Sequence, residues 1–438
     1  MKKIHYTRNI FLIITLFLLV QLKGKSQTQL ANTVDEKEVA AILEALSANE
    51  LRGRQAFSPE IHIAADYIAK AFEKYKLKPM NGNNGFLQSF SMVKASVDEG
   101  SKVLIGEEAI QATQLICQTD QKTLKITPQT GYEVIRMNEG ENPMAAFRSV
   151  RGKKANLLVL MHSSQEPFFK RIKDNSGPKM KDGFSTIFVM TNNTKAEAFD
   201  LDLKLAVEEV KMSNVVGMIP GKSKPDEYVV FSGHYDHIGV GKADDKGDSI
   251  YNGANDDASG TTAVMMLAKH FAGEATNERT LVFAAFTAEE VGGFGSQYFS
   301  KQLDPAKVMA MFNIEMIGTD SKWGTNSAYI TGYEKSNMGE ILQKNLQGSP
   351  FQFHPDPYPQ QQLFYRSDNA TLARLGVPAH TISTSKMDSE PHYHRPSDER
   401  STLDTKNMTE IIKAIAISSK SIAAGTDTPS RVDTTQLR

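Results

Sequence analysis

The chain has 438 residues, 40% of them hydrophobic and 23% charged, with a net charge of −1 at neutral pH. That length suffices for two domains, or for one large domain with an insertion. The near-neutral balance supplies no global field toward nucleic acid or an anionic membrane surface, so neither is expected as a partner.

The first residues have the pattern of an export signal. Lys2, Lys3 and Arg8 precede an apolar run over residues 10–20, and polar residues follow from Lys23 to Gln27. A membrane-spanning helix needs about 20 apolar residues, so the run predicts a signal peptide over residues 1–26 rather than an anchor. The expected location is secreted or periplasmic, with no stable membrane insertion after cleavage. The single cysteine, Cys117, excludes an intrachain disulfide and is expected as a buried small hydrophobe.

Residues 36–51 and 59–75 carry apolar side chains at helical spacing, for example Val39, Ile42, Leu43 and Leu46 in the first. Between them, Leu51-Arg52-Gly53-Arg54 reads as a turn, and the Asn/Gly cluster at 81–85 as a loop. Residues 27–95 thus form an N-terminal helical part. Over residues 96–212 the texture changes to short β-like runs (102–105, 124–126, 156–161, 185–190) separated by polar turns, which predicts an inserted β-rich module. Residues 213–425 alternate again: strands at 215–219, 227–232, 280–287, 308–317 and 377–383, and helices at 256–271, 295–303, 336–345 and 405–423. This alternation predicts an α/β fold with a mostly parallel central sheet flanked by helices. The tail, residues 426–438, is polar and expected to be mobile.

In such a sheet ligands bind beyond the carboxyl ends of the strands, and there the polar residues collect. Strand 227–232 runs into His234-Tyr235-Asp236-His237, strand 280–287 into Glu289-Glu290, strand 308–317 contains Glu315, and strand 377–383 precedes a loop with His392 and His394. Asp256 stands at the expected start of helix 256–271. Taken singly these residues have plain structural explanations: a solvated His–Asp pair, a solvated glutamate pair, a helix cap at Asp256. Together they supply imidazole and carboxylate without thiolate, a donor mixture suited to a divalent metal. Of two adjacent glutamates, one can bind metal while the other takes a proton from water.

The segments Ser232-Gly233-His234-Tyr235-Asp236, Asn252 to Gly260, Ala288-Glu289-Glu290-Val291-Gly292, Asn313-Ile314-Glu315-Met316 and Tyr393-His394 with Asp398 resemble the cocatalytic dizinc aminopeptidases. That family includes bacterial secreted leucine aminopeptidases and the glutamate carboxypeptidase II-like zinc exopeptidases. The resemblance covers roughly residues 214–423. It implies two Zn2+ ions per chain, a peptide substrate, and hydrolysis by a metal-bridging hydroxide. It further implies metal ligation by His234, Asp256, Glu290, Glu315 and His394, with Asp256 bridging. Glu289 would be the general base, and Asp236 the partner behind His234. Glu315 departs from the family pattern, which has aspartate there. The module at 96–212 sits where relatives carry a protease-associated domain. Ser367 and Asp368, in Tyr365-Arg366-Ser367-Asp368-Asn369, resemble a pocket-shaping segment of the family.

Other readings stay open: a carboxypeptidase, for which Arg366 and Arg395 could hold a terminal carboxylate; a glutaminyl cyclase-like enzyme of the same fold; and a degenerate binding ectodomain. His234-Tyr235-Asp236-His237 also partly matches the metallo-β-lactamase-like His-x-His-x-Asp-His pattern, but Ser232 replaces its leading histidine.

Overall fold

A computed structural model describes residues 33–437, apart from 81, 84, 151 and 152. The expected leader at 1–26 lies outside the described residues. Within them, no helix is long and apolar enough to cross a membrane. The chain divides into two units: residues up to Ser89 together with those from Ser213 onward, and Phe90–Met212 between them.

The first unit holds a mixed sheet, seven strands of which position the site. They are the end of Phe199–Ile219 (β1), Lys224–His234 (β2), Arg279–Phe286 (β3), Val308–Ile314 (β4), Ser327–Ile330 (β5), Gln352–Pro355 (β6) and Ala379–Ser383 (β7). Their order is β6-β5-β7-β4-β2-β3-β1. The four central strands run parallel, β3 to β2, β2 to β4 and β4 to β7. β1 is antiparallel to β3, and β5 to β7.

The register explains why these apolar runs are buried on both sides. Phe231 on β2 pairs with Phe283 on β3 and Phe312 on β4. Alternate residues share a face, so the three rings lie side by side, with Phe231 centroids 5.4 Å from Phe283 and 4.9 Å from Phe312. They pack with helices Glu36–Leu46 (α1), Glu60–Lys74 (α2), Gly260–Glu274 (α3), Met338–Asn345 (α5) and Thr405–Ala423 (α7). The alternate residues Val230, Val282, Ala284, Phe286 and Met311 pack on the other face with Phe299 of helix Phe294–Ser300 (α4) and with Leu372 and Ala373 of helix Asn369–Ala373 (α6). Burying a large apolar side chain contributes about 1.5–3 kcal/mol. The sheet is therefore the rigid part of the unit, and its strand ends are fixed points.

Two expectations are corrected here. The helix expected from residue 256 begins at Gly260, because Asp256 (φ −107°, ψ 97°) and Asp257 (φ −127°, ψ 42°) are not helical and the peptide bond between them is cis. The tail is held rather than loose: Val432 is buried, and Arg431 donates to the carbonyls of Val308 and Pro305.

The second unit contains a four-stranded sheet ordered Leu115–Gln118, Thr186–Thr191, Leu157–His162, Glu133–Met137, and a further set in which the start of Phe199–Ile219 pairs with Lys102–Ile105 and Thr123–Ile126. It begins at Phe90 rather than at 96. It also carries two helices, Pro143–Val150 and Glu166–Asp174. Cys117 is buried there, and burial pushes its thiol up to about 12.

Candidate metal centre

The ends of the parallel strands bring the acidic and imidazole groups together. His234 is the last residue of β2, Glu289 and Glu290 follow β3, and Glu315 follows β4. Asp256 comes from the irregular turn before α3, and His394 from the loop after β7, where its φ is 56°.

Asp256 is the centre of the arrangement. Its Oδ1 lies 3.2 Å from His234 Nε2, and its Oδ2 lies 3.3 Å from His394 Nε2. His394 Nε2 is also 3.3 Å from Glu290 Oε2. Two groups have donor atoms close enough to surround one ion each: His234, Asp256 and Glu315, and His237, Asp256 and Glu290. Donors bound tetrahedrally to one zinc at about 2.0–2.1 Å stand roughly 3.3 Å apart, so the spacings around Asp256 and His394 fit a zinc ion. Glu315 Oε2 and Glu290 Oε1 are buried without hydrogen-bond partners, which also suits a metal.

The surroundings fix these groups in place. Asp236 behaves differently from the expectation that its carboxylate backs His234. His234 Nδ1 is 3.1 Å from the main-chain oxygen of Asp236, whereas the carboxylate is 3.9 Å away. That carboxylate instead accepts hydrogen bonds from the amides of Glu289 (3.0 Å) and Glu290 (3.3 Å), so it orients both glutamates. Asp257, beside Asp256 in sequence, faces away from the donor groups. Its carboxylate accepts from the amides of His234, Gly260 and Met316 and ties three elements together. Asp398 accepts from the amides of Asn255 and Asp256. Beneath this turn the fully buried Arg54 donates to the carbonyls of Tyr235, Leu46, Asn252 and Gly253 at 2.5–2.9 Å.

Crowding of carboxylates makes the electrostatics uneven. Burial, with Asp368, Glu315 and Glu290 close by, pushes Glu289 well above the usual carboxylate range despite the pull of His234. Burial raises Asp236 and Glu315 to about 7 each. Burial disfavours the His234 and His394 imidazoliums, but Asp256 and its acidic neighbours outweigh it; His394 is raised to about 10. Asp256, hydrogen-bonded by both histidines, is lowered despite its burial.

A cleft lies beside Glu315, lined by Met316, Leu363, Met387, Arg366 and Tyr393 among others. Arg366 is exposed and donates to Tyr393 Oη at 3.4 Å. Ser367 accepts from Asn313 Nδ2, while Asn369 bonds Thr381 and the carbonyls of Phe364 and Ala379 and is structural. The exposed Arg395 does not line this cleft, and His392 bonds Ser397.

Residues 214–418 match the profile described as peptidase family M28. Over that segment, just under half of its length, the chain is similar to the M28 peptidases. Among curated proteins, a "Probable zinc metalloprotease" of Pyrenophora teres is 38% identical over 111 residues, 25% of this chain and 23% of that protein. One of Pyricularia oryzae is 38% identical over 114 residues, 26% of this chain and 22% of that protein. The aligned part thus spans about a quarter of these relatives. Among solved structures, an aminopeptidase from Aneurinibacillus sp. strain AM-1 aligns over 94% of this chain and 98% of its own (17% identity, TM-score 0.53). The Bacillus subtilis zinc aminopeptidase aligns over 92% and 97% (15%, TM-score 0.54), and a peptidase M28 precursor from Shewanella amazonensis over 94% and 99% (15%, TM-score 0.54). At these identities the likeness is one of fold: a mostly parallel sheet flanked by helices.

His237, Arg54 and Asp398 were not among the expected site residues. His237 had a signal, being the second histidine of His234-Tyr235-Asp236-His237. Arg54 had none, since a charged residue in a turn ordinarily faces water.

Proposed function

We propose that the chain is a secreted zinc-dependent aminopeptidase that removes N-terminal residues from peptides at a two-metal centre. The observation that supports this best is the split use of Asp256, whose two carboxylate oxygens serve different donor groups. His234, Asp256 and Glu315 would hold one ion, and Asp256, Glu290 and His394 the other. Bound zinc supplies polarisation of the scissile carbonyl and a lowered pKa for water.

The chain's own residues do the rest. Glu289 takes the proton of the attacking water and delivers it to the leaving amine. As a carboxylate beside the donor groups, Glu289 is placed to accept that proton and then, as the acid, to give it up. Asp236 fixes where Glu289 sits by gripping its amide. The cleft beside Glu315, with Met316, Leu363 and Met387 on its walls, takes an apolar side chain of the substrate. Glu315, a methylene longer than aspartate, reaches the His234 and Asp256 donors from the end of β4.

Arg366 on the same cleft favours a second reading, a carboxypeptidase that pairs a guanidinium with the substrate's terminal carboxylate. One experiment separates the two. Purified protein is given apolar peptides blocked at the N-terminus or at the C-terminus, before and after chelation. The aminopeptidase reading expects cleavage of C-blocked substrates alone, lost on chelation and restored by zinc. Cleavage of N-blocked substrates supports the second reading, and full activity after verified metal removal refutes both.

A further inference from the structure

His237 has no part in the ligand set above, yet it is the most anomalous side chain in the centre. It is 1% exposed, and neither ring nitrogen has a hydrogen-bond partner. A buried donor or acceptor left without a hydrogen bond costs about 1–3 kcal/mol, so a ring at this depth with neither nitrogen satisfied suits a ligand. Its Nδ1 lies 2.7 Å from Glu290 Oε1 and 3.9 Å from Asp256 Oδ2. His237 Nδ1 and Glu290 Oε1 thus stand within ion-pairing distance of each other, while Nε2 has no partner. With Asp256 these two residues offer donor atoms close enough together to surround one ion.

The turn before α3 is shaped for this ring. Gly253 has φ 55°, and a Cβ there would stand 2.5 Å from His237 Cγ and 2.6 Å from Cδ2. Any side chain at 253 would displace the imidazole. Glu290 spans the gap, with Oε1 toward His237 and Oε2 toward His394.

We propose that His237 Nδ1 is a fourth protein ligand of the site formed by Asp256, Glu290 and His394. This rests on the two-metal reading above. It makes the two sites unequal: one imidazole and two carboxylates at His234, two imidazoles and two carboxylates at His237. Late first-row divalent ions favour the nitrogen-richer set, so the His237 site fills first and empties last.

The test is metal titration of the full chain. Metal-free wild type is titrated with Zn2+ against a competing chelator, and with Co2+ read by visible absorption. Two unequal affinities are expected. His237→Ala should weaken the tighter site by about 10- to 100-fold, the scale of metal-site perturbations, and leave the other unchanged. Because a merely supporting residue could also lower affinity, His237→Cys supplies a direct readout: a ligating thiolate gives a sulfur-to-cobalt charge-transfer band, absent from wild type. Presence of that band supports ligation from position 237. Its absence in a protein that still binds Co2+ overturns the proposal, as does an unchanged tight affinity in His237→Ala. If wild type itself binds fewer than two ions, the two-metal reading has failed, which is a distinguishable result.

Discussion

Replacing Arg54 by methionine, which keeps the length of the side chain but removes its charge, should unfold the first unit at much lower denaturant and weaken zinc binding. The guanidinium satisfies four buried carbonyls, those of Leu46, Tyr235, Asn252 and Gly253. Hydrogen bonds to a charged group contribute about 1.5–3 kcal/mol each, a gross loss of about 6 kcal/mol or more. Burying the charge has its own cost. Desolvation lowers Arg54 to about 10 against the pull of Asp398 and Asp236, and methionine recovers roughly 3 kcal/mol of that at about 1.4 kcal/mol per pKa unit. The net destabilisation is about 3 kcal/mol or more. Arg54→Lys should recover less than half, because three donors on one nitrogen cannot reach carbonyls fanned around a planar fork. Urea unfolding of the metal-free protein measures the difference. Tyr235 and Gly253 flank the residues that place His234 and Asp256, so zinc affinity should fall in the same variant. A stability for Arg54→Met within 1 kcal/mol of wild type would refute the reasoning.

Two further outcomes follow from the centre. Glu289→Gln should keep both ions by metal analysis and lose about 10²- to 10⁴-fold in turnover, the usual range for a lost general base; normal turnover would remove Glu289 from that role. The metal-free protein should lose stability as pH rises from about 7.5 to 9, read as a falling thermal midpoint. Asp236 and Glu315 give up protons near 7 and His394 near 10, all raised in the folded chain, so folding binds more protons than unfolding. The opposing His270 and His380, held down at about 4 by burial, add stability until their unfolded forms have lost their protons just above 6.5, so the fall is read from about pH 7.5 upward. Zinc-loaded protein should not show this fall, since ligands must be deprotonated to bind; a flat profile for the metal-free form would count against the crowded carboxylates.

The sequence revealed what periodicity encodes. The apolar strand ending before Thr287 and the helix Thr405–Ala423 were legible because each buries a regular face against the same core. So was the delivery of His234, Glu290 and Glu315 to strand ends. What periodicity does not encode was missed. Taken singly Asp256 had a helix-cap explanation, whereas the carboxylate that accepts from the amide of Gly260 is that of Asp257. Asp236 looked like a prop for His234 from spacing alone, but beyond a strand end the backbone turns and alternation no longer fixes direction. The tail looked mobile from its polarity, and Arg431 anchors it through main-chain oxygens that leave no sequence trace.

The two chain positions bordering the second unit, Ser89 and Ser213, share a hydroxyl hydrogen bond of 2.9 Å. The backbone therefore leaves the first unit and returns to it at nearly one point. A segment joined in that way behaves as a cassette: closing so small a gap costs little chain entropy whatever the length of the loop spliced in. Residues 90–212 could be shortened, exchanged or bridged by a brief turn while β1, β2 and the strand ends keep their register. Variation there can accumulate without disturbing the metal donors, and accessory properties can evolve on a separate schedule from the chemistry.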